Sequence, residues 1–198
     1  MVLYKKRDRF AQFSVKVGIL FSKVPLSANQ WTILSLIPIF FAVWLLVQGQ
    51  YLWAAGLFLL SAFMDLIDGS VARVTGTVSK KGAYLDTVVD RYVEGLVIFG
   101  LLFAGLPGFY LPAAFWLFLY FFGAMMTTYV KAAAKEKELT EKELKGGFLE
   151  RAERLIILFI GILVASLDLF YLTYTIVVLA VLSNVTALQR IYQAVKGE

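Results

Sequence analysis

The chain has 198 residues, of which 60% are hydrophobic and 17% are charged, and its formal net charge is +5. A soluble domain of this length needs far more polar surface, so the composition predicts an integral membrane protein. The chain has no cysteine, which excludes disulfides and thiolate metal sites. It also has no histidine, which excludes Ser-His-Asp catalysis and histidine zinc sites, so a general base would have to be Asp, Glu, Lys or Tyr.

The first 27 residues predict an amphipathic helix that lies on the cytoplasmic surface of the membrane. Apolar residues recur at helical spacing, and basic residues fall largely elsewhere around the helix. The apolar positions are Phe10, Phe13, Val17, Leu20 and Phe21. A disordered basic tail is the alternative. Because Lys16 interrupts the apolar run and no small-residue cleavage pattern follows, a cleavable signal peptide is not expected.

Six apolar runs follow, each about as long as the roughly 20 residues needed to cross the hydrocarbon core. They comprise residues 29–48, 51–74, 82–105, 110–134, 149–167 and 170–192. We therefore predict an all-α integral membrane fold in which residues 1–198 form one domain. Residues 1–27 are the interfacial helix, and residues 28–198 are a bundle of six transmembrane helices. Pro38 is expected to kink the first span and Pro112 to lie in the first turn of the fourth.

The segments between these runs alternate in charge. Residues 48–50, 105–112 and 166–171 contain no Lys or Arg, whereas the N-terminal segment, the other two loops and the C-terminus are basic. Since Lys and Arg are enriched in cytoplasmic loops, both termini are predicted to be cytoplasmic. The charged segment 135–147 is expected to be a cytoplasmic helix or loop without a catalytic role.

One segment combines four aspartates with apolar surroundings, in the pattern D-x-x-D-G-x-x-A-R-x8-G-x-x-x-D-x-x-x-D. Carboxylates at membrane depth are costly, and several that converge repel one another unless cations are present. Helical spacing places the residues of this pattern on one face of the second span and one face of the third. The first face carries Asp65, Asp68, Gly69, Ala72 and Arg73, and the second carries Gly82, Asp86 and Asp90.

Hard divalent cations with oxygen ligands, Mg²⁺ or Mn²⁺, meet this requirement, and two such ions would suit a diphosphate. The small residues on these faces leave room for a ligand beside the backbone, and Arg73 offers a fork of donors to phosphate. The alternative is that such acids are ion-pair partners and the small residues only pack helices, which fits Arg91 and Glu94. The coincidence of all these features favours a functional site.

At every fixed position the segment resembles the signature of the CDP-alcohol phosphotransferases, and the six spans with a preceding interfacial helix are similar to the family fold. The family transfers a phosphoalcohol group from a CDP-linked donor, usually a CDP-lipid, to an acceptor hydroxyl and releases CMP. The resemblance implies that Asp90 acts as the base and that the family's common homodimer is formed. It implies metal binding by Asp65, Asp68, Asp86 and Asp90, and a nucleotide site that includes Asp65, Gly69, Ala72, Arg73 and Gly82.

The start of the first span carries part of a second family pattern, P-N-x-x-T. Asn29 and Thr32 match it, and Ala28 replaces the proline. The resemblance implies that Asn29 and Thr32 lie near the cytidine. The alternative is an ordinary helix N-terminus with Ser27 or Asn29 as its cap.

Basic residues near the cytoplasmic ends of the last three spans predict a site for a phosphorylated acceptor. They are Lys131, Arg151, Arg154 and Arg190. The stretches YVKA, FLERAERL and TALQRIY resemble the branch of the family that makes phosphatidyl- or archaetidylinositol phosphate, in which one Lys and two Arg hold inositol phosphate. Either Arg151 or Arg154 fits this pattern, and Arg151 is expected on the pocket side. The alternative is that these cations only enforce topology or bind anionic headgroups.

The predicted function is transfer of a phosphatidyl or archaetidyl group from a CDP-lipid to inositol phosphate, at a cytoplasmic site in the cell membrane. Glycerol 3-phosphate is the second candidate acceptor, and free serine or inositol are less favoured. Expected partners are the donor, the soluble acceptor, membrane lipids and a second copy of the chain, but no nucleic acid. A cation or proton transporter is the rival class. The arginine and glycines beside the acids favour the enzyme, because bare ions need neither.

Overall fold

The secondary structure of the described chain is helical. The computed structural model describes residues 2–139 and 148–196, with side chains from residue 12 onward. The helices in these residues are α1 (Val2–Phe21), α2 (Ala28–Leu34), α3 (Leu36–Val47), α4 (Tyr51–Thr75), α5 (Lys80–Leu102), α6 (Ala113–Glu136), α7 (Arg151–Val164) and α8 (Leu169–Lys196). The predicted all-helical class is confirmed. Most of the predicted charged segment, residues 140–147, lies outside the described residues.

Each predicted span coincides with helical structure, but length and hydropathy alone select four helical stretches of the described chain as able to cross a membrane. These stretches are Ala28–Val47, Tyr51–Thr75, Ala113–Glu136 and Leu169–Lys196. Helix α5 differs because it carries two aspartates, an arginine and a glutamate in its central turns. Helix α7 differs because it has only 14 residues. Six membrane crossings therefore stay a prediction.

The first apolar run is divided into two helices. α2 ends at Leu34, Ser35 forms the break, and α3 begins at Leu36. Pro38 explains this position, because it has no N–H to donate to the carbonyl of Leu34 and its ring crowds that carbonyl. The Ser35 hydroxyl donates to the carbonyl of Thr32 at 2.7 Å. The kink expected from Pro38 thus takes the form of a break three residues before it.

The N-terminal caps of α2 and α6 fix where these two helices begin. Ser27 caps α2: its hydroxyl accepts the Gln30 N–H at 3.3 Å, while Gln30 Oε1 accepts the Ser27 N–H at 2.7 Å. Ser27, and not Asn29, is therefore the cap. Pro112 precedes α6 as its N-cap residue, with φ −56° and ψ 144°, instead of lying in the first turn as predicted. Its extended ψ places the start of the helix one residue later.

The described chain divides into two compact units. The first unit comprises residues 1–42 and 56–96, and the second unit comprises residues 43–55 and 97–198. In the first unit Val17 of α1 is buried with Ile67 and Val71 of α4, and Phe21 and Trp31 pack against these three side chains. Helix α1 is therefore held on α4 by an apolar contact of its own.

The apolar stripe predicted for α1 is divided between two environments. Val17 is 7% exposed, whereas Phe13 and Leu20 are 49% and 62% exposed. The packed face is completed by two small residues outside the stripe, Ser14 and Gly18, which approach α4. Periodicity finds the apolar residues of such a helix but does not distinguish contact with protein from contact with lipid. Membrane contact by the exposed side chains stays a prediction.

In the second unit, small residues bring α6, α7 and α8 close together. A Cβ placed on Gly123 of α6 would lie 2.8 Å from the backbone nitrogen of Asn184 in α8. One placed on Gly161 of α7 would lie 2.6 Å from Cγ2 of Thr175 in α8. Asn184 also donates its side-chain N–H to the carbonyl of Leu119 at 2.8 Å. Close backbone approach and interhelical hydrogen bonds of this kind hold helices together in lipid, where apolar burial does not.

We expect Gly123→Ala to destabilise the protein, because the added methyl group would lie 2.8 Å from backbone in α8 and the two helices would have to separate. Overpacking of this kind costs about 1–3 kcal/mol. The fall in apparent Tm of the purified protein in detergent measures it. Gly56→Ala is the matched control, since Gly56 also lies inside a helix and a Cβ there would meet nothing within 4 Å. Equal Tm values for the two variants would contradict the close approach.

Candidate metal and nucleotide site

Three carboxylates of the acidic segment come together between α4 and α5 in the first unit. Asp65 and Asp68 lie about one turn apart on α4, and Asp86 lies in the second turn of α5. Each offers one carboxylate oxygen, and the three oxygens lie within 4.8 Å of one another. Asp68 is buried and the other two are half-buried. The convergence predicted from helical spacing is observed for these three residues.

The turn between α4 and α5 sets the register of the two acidic faces. Gly76 adopts a left-handed φ of 67° directly after α4, and the Thr77 N–H donates to the carbonyl of Ala72 at 3.0 Å. This is a Schellman ending, which favours glycine because a side chain is strained at positive φ. Ser79 then begins α5 by accepting the Gly82 N–H on its hydroxyl at 3.0 Å. The x8 interval of the motif thus spans a helix end, a glycine turn and a helix start.

The donor set fits a hard divalent cation. Carboxylate oxygens are the ligands that Mg²⁺ and Mn²⁺ prefer, and a cation between the acids offsets their repulsion. Asp90 lies one turn after Asp86 on α5 and is 8% exposed. Among the described residues, it is not one of the three whose oxygens meet the 4.8 Å distance. Its assignment as a metal ligand and base stays a prediction.

A neighbouring acid on α5 has a structural partner. Arg91 Nη1 lies 3.0 Å from Glu94 Oε2, and the Glu94 side chain is fully buried. A buried carboxylate requires such a partner, because an unpaired charge is costly to remove from water. The ion-pair interpretation of Arg91 and Glu94 is confirmed.

An open cavity of about 340 Å³ lies beside the carboxylates, and Asp68 and Asp86 form part of its wall. This volume falls within the range of small-molecule sites. Asp65 is not among the lining residues, although it belongs to the acidic cluster. The other residues predicted for the nucleotide site all line the cavity: Asn29, Thr32, Gly69, Ala72, Arg73 and Gly82.

Helix α2 contacts both acidic faces. The Thr32 hydroxyl, which is buried, donates to Asp68 Oδ2 at 2.5 Å. Asn29 Oδ1 lies 3.1 Å from the position that a Cβ would take on Gly82. Thr32 therefore orients one carboxylate of the cluster, and glycine at position 82 gives the Asn29 side chain room beside α5.

The guanidinium of Arg73 lies along the cavity wall. Its Nη1 is 3.3 Å from the position of a Cβ on Gly69, so a larger residue there would displace it. Its Nη2 donates to Ser14 Oγ of α1 at 2.7 Å. The arginine of the motif is thus fixed between its own helix and the helix that precedes the first span.

Two of the cations predicted to bind the acceptor meet on α6 in the second unit. Arg190 Nη1 of α8 donates to the carbonyl of Thr127 at 2.8 Å, and Arg154 Nη1 of α7 donates to its hydroxyl at 3.3 Å. Lys131 lies one turn after Thr127 on the same helix and is half-buried. The last three helices therefore each bring one cation to the region of Thr127.

The two candidate arginines of α7 differ in burial. Arg154 is 2% exposed, whereas Arg151, the first residue of α7, is half-buried. Burial distinguishes the two arginines without testing which one contacts the acceptor, and it places Arg154 further into the helix packing. The reason is its position one turn inside α7, where its side chain faces α6 and contacts Thr127.

Sequence reasoning missed three features around these sites. Thr77, Val78 and Ser79 of the turn line the cavity, and the fixed x8 interval was the signal that the turn itself closes the site. Thr127 lies one turn before the predicted lysine, at a spacing that places both on one helical face. Nothing in the sequence pattern indicated the role of Ser14, because a serine in an amphipathic helix is expected on its polar face.

An apolar helical chain with an acidic cluster and an arginine beside one cavity fits a membrane enzyme that acts on phosphate groups. A model of the CDP-alcohol phosphatidyltransferase family matches residues 26–188, and the chain belongs to this family. It is accordingly a multi-pass membrane enzyme that transfers substituted phosphate groups.

Two relatives and two solved structures support this assignment. The chain is 33% identical to the archaetidylinositol phosphate synthase of Pyrococcus horikoshii, over 98% of this chain and 97% of the relative. It is 34% identical to the phosphatidylinositol phosphate synthase of Corynebacterium glutamicum, over 91% of this chain and 83% of the relative. The Mycobacterium tuberculosis phosphatidylinositol phosphate synthase with CDP-DAG bound has a TM-score of 0.81 and 27% identity, covering 92% of this chain and 94% of that one.

The same mycobacterial enzyme in complex with manganese and citrate also has a TM-score of 0.81, with 28% identity. The superposed residues cover 91% of this chain and 88% of the mycobacterial chain. The fold of this chain is therefore one that is found with a CDP-lipid and with a divalent metal in a solved relative.

We expect Thr32→Val to weaken metal binding, because Asp68 loses the hydroxyl that orients its buried carboxylate. Loss of such a supporting hydrogen bond costs about 10- to 100-fold in metal affinity. Titration of the purified protein with Mn²⁺, followed by the electron paramagnetic resonance signal of the free ion, measures the affinity. Thr87→Val is the matched control, since the exposed Thr87 hydroxyl donates only locally to the Ala83 carbonyl at 2.9 Å. Wild-type affinity in Thr32→Val would contradict the orienting role.

Proposed function

We propose that the chain transfers a phosphatidyl or archaetidyl group from a CDP-lipid to a hydroxyl of inositol phosphate and releases CMP. The observation that carries this proposal is the cluster of three carboxylates at a cavity lined by the residues of the family motif. Family membership supports the reaction class. The relatives that are named archaetidyl- and phosphatidylinositol phosphate synthases support inositol phosphate as the acceptor.

The cavity suits the CDP part of the donor. Its small residues leave the backbone of α4 and α5 accessible, so the pyrophosphate can approach both helices. The guanidinium of Arg73 on the cavity wall would bind phosphate oxygens, and Asn29 would lie near the cytidine. The mycobacterial structure with CDP-DAG bound supports a CDP-lipid as donor.

The acidic cluster would hold the metal cofactor. Asp65, Asp68 and Asp86 would bind Mg²⁺ or Mn²⁺, and Asp90 would complete the site of a second ion. Bound divalent cations would neutralise the diphosphate and stabilise the charge that develops on departing CMP. Thr32 would keep the Asp68 carboxylate in a fixed orientation throughout. The manganese complex of the mycobacterial enzyme supports a divalent metal here.

Asp90 would act as the base in a direct displacement. Its carboxylate takes the proton of the acceptor hydroxyl, whose oxygen forms a bond to the lipid-side phosphorus of the donor. The bond from that phosphorus to the bridging oxygen breaks, and CMP leaves with the bridging oxygen. Because this is one in-line step, the configuration at phosphorus is inverted. The buried position of Asp90 on α5 gives a carboxylate that bulk water screens weakly.

The cations of the second unit would bind the phosphate of the acceptor. Lys131, Arg190 and one arginine of α7 supply the positive charge, and Thr127 couples Arg190 to Arg154. Since Arg154 is almost fully buried against α6, we assign it the support of this cluster and assign phosphate contact to the half-buried Arg151. A phosphorylated acceptor accounts for cations on three different helices better than a neutral one does.

The membrane arrangement is part of the proposal. We infer six crossings with an interfacial helix before them, and the alternation of basic and non-basic loops supports cytoplasmic termini and a cytoplasmic active site. Soluble inositol phosphate and CMP would then exchange with the cytoplasm. We also propose a homodimer. Exposed aromatic side chains on α6, such as Phe118 and Phe122, are available to form its interface.

Two other functions compete with this one. Glycerol 3-phosphate would use the same donor, metals and cations, and it differs only in the group beyond the phosphate. A cation or proton transporter would use the buried carboxylates alone, and membership in a transferase family disfavours it. The names of the relatives favour inositol phosphate over glycerol 3-phosphate.

We expect purified protein with a CDP-lipid and Mg²⁺ to release CMP when inositol phosphate is present. Free inositol should support little release, because it lacks the phosphate that the cations bind. Chelation should abolish the reaction and Mg²⁺ or Mn²⁺ should restore it. CMP measured by chromatography, with identification of the lipid product by mass spectrometry, provides the assay.

The comparison of acceptors decides between the competing functions. Release only with glycerol 3-phosphate would overturn the assignment of the acceptor while keeping the reaction class. Metal-independent release would contradict the role of the acidic cluster. Ion-driven uptake into liposomes without CMP release would replace the enzyme by a transporter.

We expect Asp90→Asn to lower kcat by about 10²- to 10⁴-fold, because the amide cannot accept the proton of the acceptor hydroxyl. The KM for inositol phosphate should change much less. Tyr92→Phe is the comparison variant, since Tyr92 lies two residues after Asp90 on α5 and is 63% exposed. Near-wild-type turnover in Asp90→Asn would eliminate Asp90 as the base.

A further inference from the structure

Arg73 is held by a residue of α1 that lies nearly sixty positions earlier in the chain. Its Nη2 donates to Ser14 Oγ at 2.7 Å, and Ser14 Oγ lies 2.7 Å from Ser70 Oγ of α4. The distance from Arg73 Nη2 to Ser70 Oγ is longer, at 3.4 Å. Of the two hydroxyls, that of Ser14 is therefore the main acceptor for Arg73, and Ser70 forms a hydrogen bond with Ser14.

The burial of these groups shows that the contact is built into the packing. Ser14 and Ser70 are 4% and 0% exposed, whereas Arg73 itself is exposed. A buried hydroxyl needs partners, and Ser14 meets this need by accepting from Arg73 while sharing a hydrogen bond with Ser70. An exposed arginine samples several rotamers unless something fixes its end. The hydrogen bond to the Ser14 hydroxyl favours one rotamer of Arg73 over the others.

The position of Ser14 is itself fixed by close contact between α1 and α4. A Cβ on Gly18, one turn after Ser14, would lie 2.5 Å from the carbonyl oxygen of Ser70. Glycine at this position lets the two backbones touch, and Val17 is buried in the same contact. Helix α1 cannot shift along α4 without losing this fit. The packing of α1 on α4 thus fixes the position of the Ser14 hydroxyl that binds Arg73.

We propose that Ser14 is a positioning residue for CDP-lipid binding, which orients the Arg73 guanidinium toward the donor phosphates and makes docked α1 a working part of the nucleotide site. This inference rests on the proposed function, in which Arg73 binds the donor. It adds that the helix before the first span shapes the site through one side-chain hydrogen bond. Detachment of α1 from α4 would then release Arg73 and weaken donor binding.

The test is a double-mutant cycle between the two residues. Ser14→Ala, Arg73→Ala and the double variant are compared for kcat, for the KM of the CDP-lipid and for the KM of inositol phosphate. We expect Ser14→Ala to raise the KM of the CDP-lipid by about 3- to 10-fold, the effect of one lost hydrogen bond. The KM of inositol phosphate should stay within about 2-fold, since one hydroxyl on α1 acts on the donor. In the Arg73→Ala background, Ser14→Ala should add nothing further.

The controls separate positioning from folding. Ser22→Ala removes a hydroxyl just after α1 that donates only to the Ile19 carbonyl at 3.0 Å, and it should leave the KM of the CDP-lipid unchanged. Ser14→Cys keeps the size of the side chain with a weaker acceptor and should give an intermediate KM, which provides a second variant if Ser14→Ala does not fold. Binding of CMP, measured by calorimetry, reports on the nucleotide site without turnover and should weaken in parallel.

Each outcome has a distinct meaning. If Arg73→Ala raises the KM but Ser14→Ala and Ser14→Cys do not, the inference fails and the proposed role of Arg73 stands. If the effects of Ser14→Ala and Arg73→Ala simply multiply in the double variant, Ser14 acts independently of Arg73 and the inference also fails. If Arg73→Ala itself leaves donor kinetics unchanged, the proposed function of Arg73 fails together with the inference.

Discussion

The approach of three carboxylate oxygens to within 4.8 Å of one another is the constraint on which the first unit depends. Like charges at this distance in a poorly screened setting repel one another unless a cation lies between them or a proton neutralises one of them. The surrounding contacts hold the two acidic helices in this arrangement. Thr32 donates to one of the acids, Gly76 turns the chain so that α5 returns, and Gly82 admits Asn29 beside the second acidic face. A bound divalent cation would therefore relieve a repulsion that this packing imposes.

Much of this arrangement was predictable, because it is local. Aspartates three residues apart on one helix and four apart on the next must share a face, whatever the rest of the chain does. The x8 interval fixes how the two faces meet, since it is just long enough for a Schellman ending and a new helix start. Hydropathy likewise located the apolar runs within a few residues of helical structure, although the first run comprises two helices. The all-helical class and the position of the acidic cluster follow from these short-range rules.

The remainder depends on contacts that spacing does not encode. Periodicity identified the apolar residues of α1, but not that Ser14 and Gly18 form its contact with α4. The two arginines of α7 are equally basic in sequence, and only the packing of α7 on α6 shows that Arg154 is the one buried against Thr127. Small residues and buried polar partners matter through what they touch, and the partners lie tens of residues away.

The division of residues between the two units has a chemical consequence. The residues proposed for metal and nucleotide binding all belong to the first unit, and the cations proposed for the acceptor all belong to the second. The proposed donor and metal site depends on local helical spacing, in which a one-residue change would move a carboxylate to another face. The proposed acceptor site depends on side chains from three separate helices, of which Arg154 and Arg190 both donate to Thr127. Under this proposal, substitution of these cations would change the choice of acceptor, while the residues proposed for the metal would stay the same.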